Sequence, residues 1–446
     1  MTDHEAAAAA FASSLDVTDV PGRVTDHVGL VVADTVGAIV GGSTDAATTR
    51  LVETAAGGSG TATVLGTDRL LDVPRAALAN GTAGTVLELD EGHKYAAGHP
   101  AIHVLPAVLA EAETTDGDLD AFLAALVAGY EVVTRVARAC NPLASGYHPH
   151  GVWGAVGAAA GVSRYRGYDA STTLAAMRLA ANYAQQTLMA AATEGATERN
   201  TYAGKGNLDG LLAADLAAAG YTALDRGVER HLDRVSAGGF DADRLDEELG
   251  TRWEVEGGYF KRHAACRYTH PTLDAVAALQ TDGPIDPDQV TDVLVETYPT
   301  AAGLTPTHPS NSLQAKFSVP FAVATRLRRE ESGKAAFEPV SLDDETTALA
   351  ERVRVRVADD IAARLPDARS ARVTVRLADG TERTEEVEHA RGGAERPWAE
   401  PDLREKFESL VRPVLGDDAT VDLWGAARTL SASPGELCAM TRPRGP

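Results

Sequence analysis

Helical periodicity constrains the fold of this 446-residue chain more than any other feature. Up to about residue 232, alanine, leucine and valine recur at positions i, i+3 and i+4, the spacing that gives a helix one apolar face. The predicted helices cover residues 6–15, 24–39, 75–87, 103–113, 119–139, 154–164, 170–192 and 208–224. Many of their inner faces are rich in glycine and alanine, which lets helices approach closely, so we expect a helical bundle.

The pattern changes near residue 282, in a stretch rich in aspartate, glycine and proline. Alternating apolar residues then predict strands at 290–297, 352–357 and 372–377, and Asp379-Gly380 predicts a hairpin turn into a strand at 382–388. Further helices are predicted at 318–329, 346–350, 400–415 and 419–429. The predicted fold is mainly α, with a large all-helical domain and an inserted smaller α+β domain. We place the helical domain at 1–265, completed by 400–446, and the α+β domain at 266–399.

The charge balance excludes some classes of partner. The formal net charge is −23, and only six of the 41 basic residues are lysine. An acidic, lysine-poor surface repels polyanions, so we expect neither nucleic acid nor an anionic membrane as a partner. Salt screens the repulsion between carboxylates, and this composition suits a salt-rich cytoplasm. We therefore expect stability to fall at low salt.

Cysteine content and hydropathy predict the compartment. Cys140, Cys266 and Cys438 provide no disulfide framework, which favours a reducing environment. The N-terminus lacks the basic segment of a secretory signal. The most apolar early stretch, 28–40, contains Asp34 and is too short to span a bilayer. We expect a cytoplasmic protein.

The densest group of titratable side chains lies between two predicted helices, at residues 88–103. It contains Asp90, Glu91, His93, His99 and His103, with glycine and proline on either side of His99. A solvated linker does not require this composition. Histidine titrates near neutral pH, so the segment is typical of a site that transfers protons.

Three more clusters combine histidines with cations. The chemically active residues in the segments 146–154, 194–206 and 261–271 are His148, His150, Arg199, Lys205, Lys261, His263, Cys266, Arg267 and His270. Each residue alone could be a cap, a surface group or a core side chain. Together, cations beside imidazoles suit a small polyanionic acid that gains or loses a proton.

Several motifs along almost the whole length resemble the MmgE/PrpD family, which includes 2-methylcitrate dehydratases, cis-aconitate decarboxylases and iminodisuccinate epimerases. The matching segments begin at Asp34, Asn80, Leu87, Gly98, Tyr147, Arg267 and Ala315. The resemblance implies a helical domain with a smaller α+β domain, usually as a homodimer, and no metal or organic cofactor.

The resemblance also assigns residues. The acidic motif of the family falls on Glu88, Asp90 and Glu91, and its His-Pro pair falls on His99-Pro100. The chain departs from the family at several positions, which include one residue inserted before His99 and Tyr202 in place of a histidine. Glu88 replaces a common aspartate, Gly92 replaces a common threonine, and Arg199 aligns with the active-site lysine. The histidine of the domain junction matches His270.

We predict a cofactor-independent lyase acting on a small di- or tricarboxylate, most like a 2-methylcitrate dehydratase. In this hypothesis His99 is the general acid or base, oriented by Asp90 or Glu91, and His270 and His148 are the second proton-transfer candidates. The predicted substrate-binding residues are Arg199, Lys205, Glu88, His93, His150, Lys261, Cys266 and Arg267. Arg199 is the leading candidate for holding a carboxylate.

Other reactions and other classes stay open at this point. A decarboxylase requires carboxylate placement and one proton donor, whereas an epimerase requires two opposed acid/base groups. A metal-dependent hydrolase using His93, His99 and His103 is a further alternative, although their spacing fits no standard zinc pattern. A non-catalytic carboxylate-binding protein is the alternative outside catalysis, because arginine stands where the family has lysine.

Overall fold

Helices dominate the N-terminal half of the chain. The computed structural model describes residues 3–55, 60–115 and 117–443. The helices of this half are α1 (His4–Ser14), α2 (Gly22–Gly42), α3 (Ala46–Ala55), α4 (Val73–Thr85), α5 (Leu105–Thr114), α6 (Leu119–Cys140), α7 (Gly154–Tyr165), α8 (Ala170–Asn182), α9 (Met189–Thr193), α10 (Tyr202–Ala218) and α11 (Gly227–Leu232). The mainly helical fold class is confirmed, and most predicted helices lie within a few residues of an observed one.

Two predicted helices were wrong in their extent. The stretch 170–192 is interrupted at 183–188, because this segment leaves the helix to hold the loop that contains His148 and His150. The Thr187 hydroxyl donates to the carbonyl oxygens of both histidines, each at 2.7 Å. The helix predicted at 208–224 is α10 and begins earlier, at Tyr202.

Glycines in α10 explain its early start. A Cβ at Gly204 would lie 2.3 Å from the carbonyl oxygen of Leu78, so only glycine permits the observed contact between α10 and α4. The glycine-rich stretch 204–206 reads as a turn from propensity alone. Packing against α4 and α7 outweighs that propensity, so these residues are helical.

A four-stranded sheet forms the centre of the C-terminal region. The strands of the molecule are β1 (Ala62–Thr63), β2 (Leu70–Leu71), β3 (Gly92–His93), β4 (Gly258–Tyr259), β5 (Val290–Thr297), β6 (Val353–Val357), β7 (Ala371–Leu377) and β8 (Glu382–Val387). The sheet order is β6-β5-β7-β8, with β5 and β6 parallel and the other pairs antiparallel. Val293 and Val295 are fully buried, while Asp292 faces Arg354 and Arg376 on the outer side. The alternation that predicted these strands therefore reflects one covered and one solvated face.

The remaining helices cover the sheet and return to the bundle. They are α12 (His270–Thr281), α13 (Pro299–Ala302), α14 (Ser312–Lys316), α15 (Val319–Arg329), α16 (Asp344–Ala350), α17 (Asp359–Ala362), α18 (Glu400–Leu415), α19 (Asp417–Thr429) and α20 (Pro434–Met440). Leu403, Phe407 and Leu423 of the last helices share the core of the N-terminal helices. The exact domain limits of 1–265, 266–399 and 400–446 stay predictions.

Helix α2 is long and apolar enough to cross a membrane by length and composition. Its 21 residues include a window with a mean hydropathy of 1.4. However, 78% of that window is buried inside the fold. A buried core helix of this kind passes the same test as a membrane span, and Gly37 and Gly41 lie against Phe407 and Leu410 of α18. The contacts show α2 as a core helix.

Candidate active site

The segment between α4 and α5 folds into a compact loop rather than a linker. Strand β3 pairs with β4, so that Gly92 lies opposite Tyr259. The amide of His93 donates to the carbonyl of Gly98 at 2.8 Å, and Glu88 adopts a positive φ of 55°. These constraints fold residues 88–99 back on themselves.

One consequence of this folding is a carboxylate–imidazole pair. The Nδ1 atom of His99 lies 2.9 Å from Oδ2 of Asp90. Burial raises the pKa of Asp90, but the neighbouring His99 and Lys261 outweigh it and lower the pKa overall. Asp90 is therefore ionised, and it can orient the His99 ring.

A second buried ion cluster is centred on Glu88. Arg199 contacts one carboxylate oxygen, and Lys261 Nζ lies 2.8 Å from the other. Burial raises the pKa of Glu88, but the two cations outweigh it and the pKa is lowered. The cluster carries two positive charges against one negative charge, so it has a net charge of +1.

These groups lie at a cleft where the N-terminal helices meet the C-terminal region. The space between the lining residues, including the part open to solvent, is about 360 Å³. It is lined by Glu88, Ala97, His99, His148, Pro149, His150, Met189, Arg199, Tyr259, Cys266, Arg267, Tyr268, Phe317 and Arg369. Separate stretches of chain therefore converge on one cavity, as the functional hypothesis requires.

The histidines of the second cluster are neutral neighbours of His99. The ring of His150 lies 4.5 Å from that of His99 between centroids, and the ring of His148 lies 5.0 Å from that of His150. Burial lowers the pKa of both His148 and His150 well below the ordinary value, and the nearby Arg199 lowers both further. Both can donate and accept hydrogen bonds without carrying charge.

Two arginines of the cleft are not neutralised by carboxylates. Arg267 lies over the Tyr259 ring at 4.2 Å and donates to the carbonyls of Ala390 and Arg391. Arg369 donates to the carbonyl of Lys94 at 2.6 Å. Within the described ranges, neither guanidinium forms an ion pair, so both are available to an anionic ligand.

Seven of the predicted site residues line this cleft. They are Glu88, His99, His148, His150, Arg199, Cys266 and Arg267. Asp90 and Lys261 lie directly behind it, against His99 and Glu88. Burial raises the pKa of Cys266 to about 11, so its thiol is protonated at neutral pH and is not a nucleophile.

His270 lies one layer behind the cleft rather than at its surface. Its Nδ1 atom is 3.3 Å from a nitrogen of Arg267, and its Nε2 atom is 3.2 Å from the carbonyl of Ala265. The ring is 1% exposed. In this position His270 can support Arg267, whereas proton transfer to a ligand in the cleft has no geometric support.

Three other predicted residues also lie outside the cleft. Lys205 pairs with Asp209, one turn along α10, and its side chain is 48% exposed. Glu91 accepts from Tyr130 at 2.6 Å and from the amide of Ala101, so it does not orient His99. His93 is buried 3.6 Å from Glu254. The roles predicted for Lys205, Glu91 and His93 therefore gain no support from their positions.

Several lining residues were missed. Phe317 lies in the family-like segment that begins at Ala315, and Tyr259 precedes the Lys261 cluster by two positions. Proximity to these motifs could therefore have indicated both residues. Arg369 lies in an ordinary stretch before β7 and carries no sequence signal. Lys316 donates to the carbonyl of Val86 at 2.7 Å, and burial lowers its pKa to about 8.

Tyr259 also accounts for the unusual Gly92. A Cβ added at Gly92 would lie 2.5 Å from the ring and hydroxyl of Tyr259. Real side chains do not approach this closely, so threonine cannot occupy position 92 while Tyr259 stays in place.

No metal site emerges from these clusters in the part of the chain that the structure describes. There, no three His, Cys, Asp or Glu side chains converge in a way that could hold an ion. His93, His99 and His103 face different surroundings, since His93 approaches Glu254 and His103 packs on Trp153. The geometry does not favour the hydrolase alternative.

Family comparisons agree with the two-part architecture. The profile of the MmgE/PrpD N-terminal domain matches residues 6–237, and that of the MmgE/PrpD C-terminal domain matches residues 263–426. The chain belongs to the MmgE/PrpD family. This result confirms the resemblance seen in the sequence motifs and assigns the cleft to the junction between the two family domains.

Individual MmgE/PrpD proteins are similar over most of the chain. The cis-aconitate decarboxylase-like protein oryM of Aspergillus oryzae is 28% identical over 418 residues, covering 85% of each chain. The cis-aconitate decarboxylase of Homo sapiens is 25% identical over 370 residues, which is 78% of this chain and 74% of the human protein. The Mus musculus protein of the same name is 25% identical over 369 residues.

Proposed function

We propose that this MmgE/PrpD enzyme is a lyase that decarboxylates a small unsaturated tricarboxylate of the cis-aconitate type. The observation that carries the proposal is the pairing of His99 with Asp90 in a cleft that also contains Arg267 and Arg369. An imidazole beside a buried carboxylate faces a cavity with two cations that form no ion pair in the described residues. The names of the similar proteins support decarboxylation over the dehydration expected from sequence.

The charges of the cleft suit several carboxylates. Arg267 and Arg369 add positive charge to the cleft, and the guanidinium N–H groups that do not donate to backbone carbonyls can donate to carboxylates. The cluster of Glu88, Arg199 and Lys261 adds a net charge of +1. Arg199 is already paired with Glu88, so we assign the main binding role to Arg267 and Arg369 instead.

The reaction requires one proton. cis-Aconitate carries a carboxymethyl group on its double bond. When that carboxylate leaves as CO2, the C–C bond breaks and its electron pair forms a new double bond. The original double bond passes its pair to the carbon beside another carboxylate, and this carbon takes a proton. We assign the proton to Nε2 of His99, because Asp90 holds the other ring nitrogen.

Dehydration of a 2-methylcitrate-like acid is the second candidate. Removing water from adjacent carbons requires both a base and an acid. The observation that favours it is the ring of His150, 4.5 Å from His99, because it places a second imidazole beside the first. The neutral state of His150 fits a base better than an acid, since it has no proton to spare at neutral pH.

Product analysis tests the proposal. The purified protein is incubated in high salt with cis-aconitate, 2-methylcitrate, citrate or iminosuccinate, and the products are read by NMR together with released CO2. We expect CO2 and a dicarboxylate from cis-aconitate. Water loss from 2-methylcitrate without CO2 would instead establish the dehydratase, and inverted stereochemistry would establish an epimerase.

Variants test the assigned proton donor. His99→Gln should lower kcat by about a hundredfold or more, and Asp90→Asn should lower it as well. The matched control is His308→Gln, because His308 is an exposed histidine whose side chain is 62% accessible. Full activity of His99→Gln would refute the role. A carboxylate that raises Tm without any turnover would favour a non-catalytic binding protein.

Three expectations from sequence belong with this proposal. A homodimer, a cytoplasmic location and independence of metal or organic cofactors are part of it. Size measurement in solution and activity after chelation test the first and the last.

A further inference from the structure

A second cavity lies at the junction of the two regions, next in sequence to Glu88 of the cleft. The segment 88–91, which contains Glu88, Asp90 and Glu91, is called the acidic loop. The space of the second cavity, including the part open to solvent, is about 750 Å³, and Leu89 of the acidic loop is part of its wall. Its charged lining residues are Arg262, Lys334, Arg391, Lys406, Asp402 and Glu405. Four cations face two carboxylates, although the whole chain carries a net charge of −23. We call this cavity the basic groove.

Three of the four cations of the basic groove, Arg262, Lys334 and Arg391, form no close ion pair in the described residues. Among the described residues Arg262 has no ion pair, and its side chain is exposed. The Arg391 guanidinium lies 3.8 Å from Asp402, a long contact, and Lys334 donates to the carbonyl of Gly41 at 3.2 Å. An anion entering the groove therefore meets positive groups that are not already neutralised.

Two of these residues are bonded to the parts that build the cleft. Lys406 Nζ lies 2.6 Å from Asp34 and also donates to the carbonyl of Leu89, between Glu88 and Asp90 in the chain. The carbonyl of Arg391 accepts from Arg267 at 3.0 Å. Lys406 and the Arg391 backbone therefore link the basic groove to residues that build the cleft.

We propose that the basic groove binds a multivalent phosphate-type oxyanion and thereby adjusts the cleft. Arginine binds such oxyanions through paired donors and lysine binds them as a point charge, and the groove provides both. Two of the six lysines in the chain lie here. The regulatory part of this proposal rests on the proposed function, whereas the binding part does not.

Pyrophosphate titration tests binding. Trp398 lines the groove, so its fluorescence should change on addition of pyrophosphate and the change should be absent in Trp398→Phe. Isothermal calorimetry should show about tenfold weaker binding for Arg262→Gln, since one charge-assisted contact is lost. The matched control is Arg50→Gln, which removes an exposed arginine on α3 and should bind like the wild type. Equal affinity of Arg262→Gln and the wild type would overturn the site.

Two further experiments test which kind of phosphate binds and where it binds. Inorganic phosphate and ATP are compared with pyrophosphate to distinguish a free phosphate from a nucleotide. Arg369→Gln, in the cleft, should leave pyrophosphate affinity unchanged. If the affinity falls in Arg369→Gln, the anion sits in the cleft and the proposal is wrong.

Kinetics test the coupling. With whichever acid is turned over, saturating pyrophosphate should change kcat or KM at least about twofold in the wild type, and Arg262→Gln should need about tenfold more pyrophosphate for the same change. Binding without any kinetic effect would refute the coupling and leave the binding site standing. If no acid is turned over, the proposed function fails, and calorimetry still decides whether the groove binds the anion.

Discussion

Glu91 offers a sharp test of the electrostatics behind the active site. It is 1% exposed and lies close to the carboxylates of Asp34 and Asp90. Burial, followed by those two carboxylates, raises its pKa to about 8 in spite of the hydrogen bonds from Tyr130 and Ala101, which lower it. At pH 7 Glu91 is therefore protonated in the fold, whereas in the unfolded chain it is ionised, since its ordinary pKa is 4.5.

The sign of the effect follows from proton binding. Between the unfolded pKa of 4.5 and the folded pKa of about 8, the native state holds a proton that the unfolded state has lost. The contribution of Glu91 to the free energy of unfolding is thus full below 4.5 and is lost as pH rises towards 8. The slope is about 1.4 kcal/mol per pH unit.

Glu91→Gln removes this pH dependence of the free energy of unfolding while keeping a side chain of the same shape. The glutamine amide oxygen can accept from the amide of Ala101, and its NH2 group can donate to Tyr130, whose hydroxyl is free to rotate. Relative to the variant, the wild type should lose about 3 kcal/mol of unfolding free energy from pH 5.5 to 7.5. The variant should be the more stable protein at pH 7.5.

Urea denaturation at a series of pH values in constant KCl measures this difference. Taking the difference between the two proteins cancels the histidines and other groups they share. Glu53→Gln, an exposed change on α3, is the control and should follow the wild type at every pH. Parallel curves for the wild type and Glu91→Gln would mean that Glu91 is ionised in the fold, and the reasoning would be wrong.

Three further predictions concern the cleft and the surface. Arg369→Gln should raise KM for the tricarboxylate by about tenfold to a hundredfold, because a charge-assisted contact is lost, while Lys205→Gln should leave KM within about twofold; equal effects in steady-state assays would refute the assignment. Gly92→Ala should lower both kcat and Tm, because its Cβ would lie 2.5 Å from Tyr259 and displace it; an active variant with an unchanged Tm by calorimetry would contradict this steric argument. Dialysis from molar to low KCl should lower Tm in differential scanning fluorimetry, since less screening leaves the charge of −23 to repel itself; an unchanged Tm would reject it.

Local patterns were sufficient for most of the fold. Apolar spacing located helices such as α6 and α7, and alternation located β5, because each pattern reports which face of an element is buried. These patterns were insufficient where contacts between residues far apart in the chain outweigh the local helix or turn propensity. The segment around Thr187 is not helical, and Thr187 donates to the carbonyl of His148. Gly204 is helical because α10 packs against α4 so closely that only glycine fits there.

The candidate site divides in the same way. Clustering in sequence identified His99, His148 and Arg267, because these residues lie in loops dense in titratable groups. Clustering could not separate Asp90 from Glu91, which are adjacent in sequence. The pKa of Asp90 is lowered by its neighbours, whereas the pKa of Glu91 is raised by burial. Lys205 illustrates a signal that was available, since a lysine four residues before Asp209 is a common helical ion pair.

By itself, the sequence determined the family, the mainly helical class and the loops in which chemistry is possible. Only the tertiary structure decided which charged side chains form ion pairs with each other. Arg199 is neutralised by Glu88, more than a hundred residues away, whereas Arg267 and Arg369 keep their charge for a ligand. The physical reason is that burial and ion pairing depend on distances in space, and residues far apart in the chain set those distances.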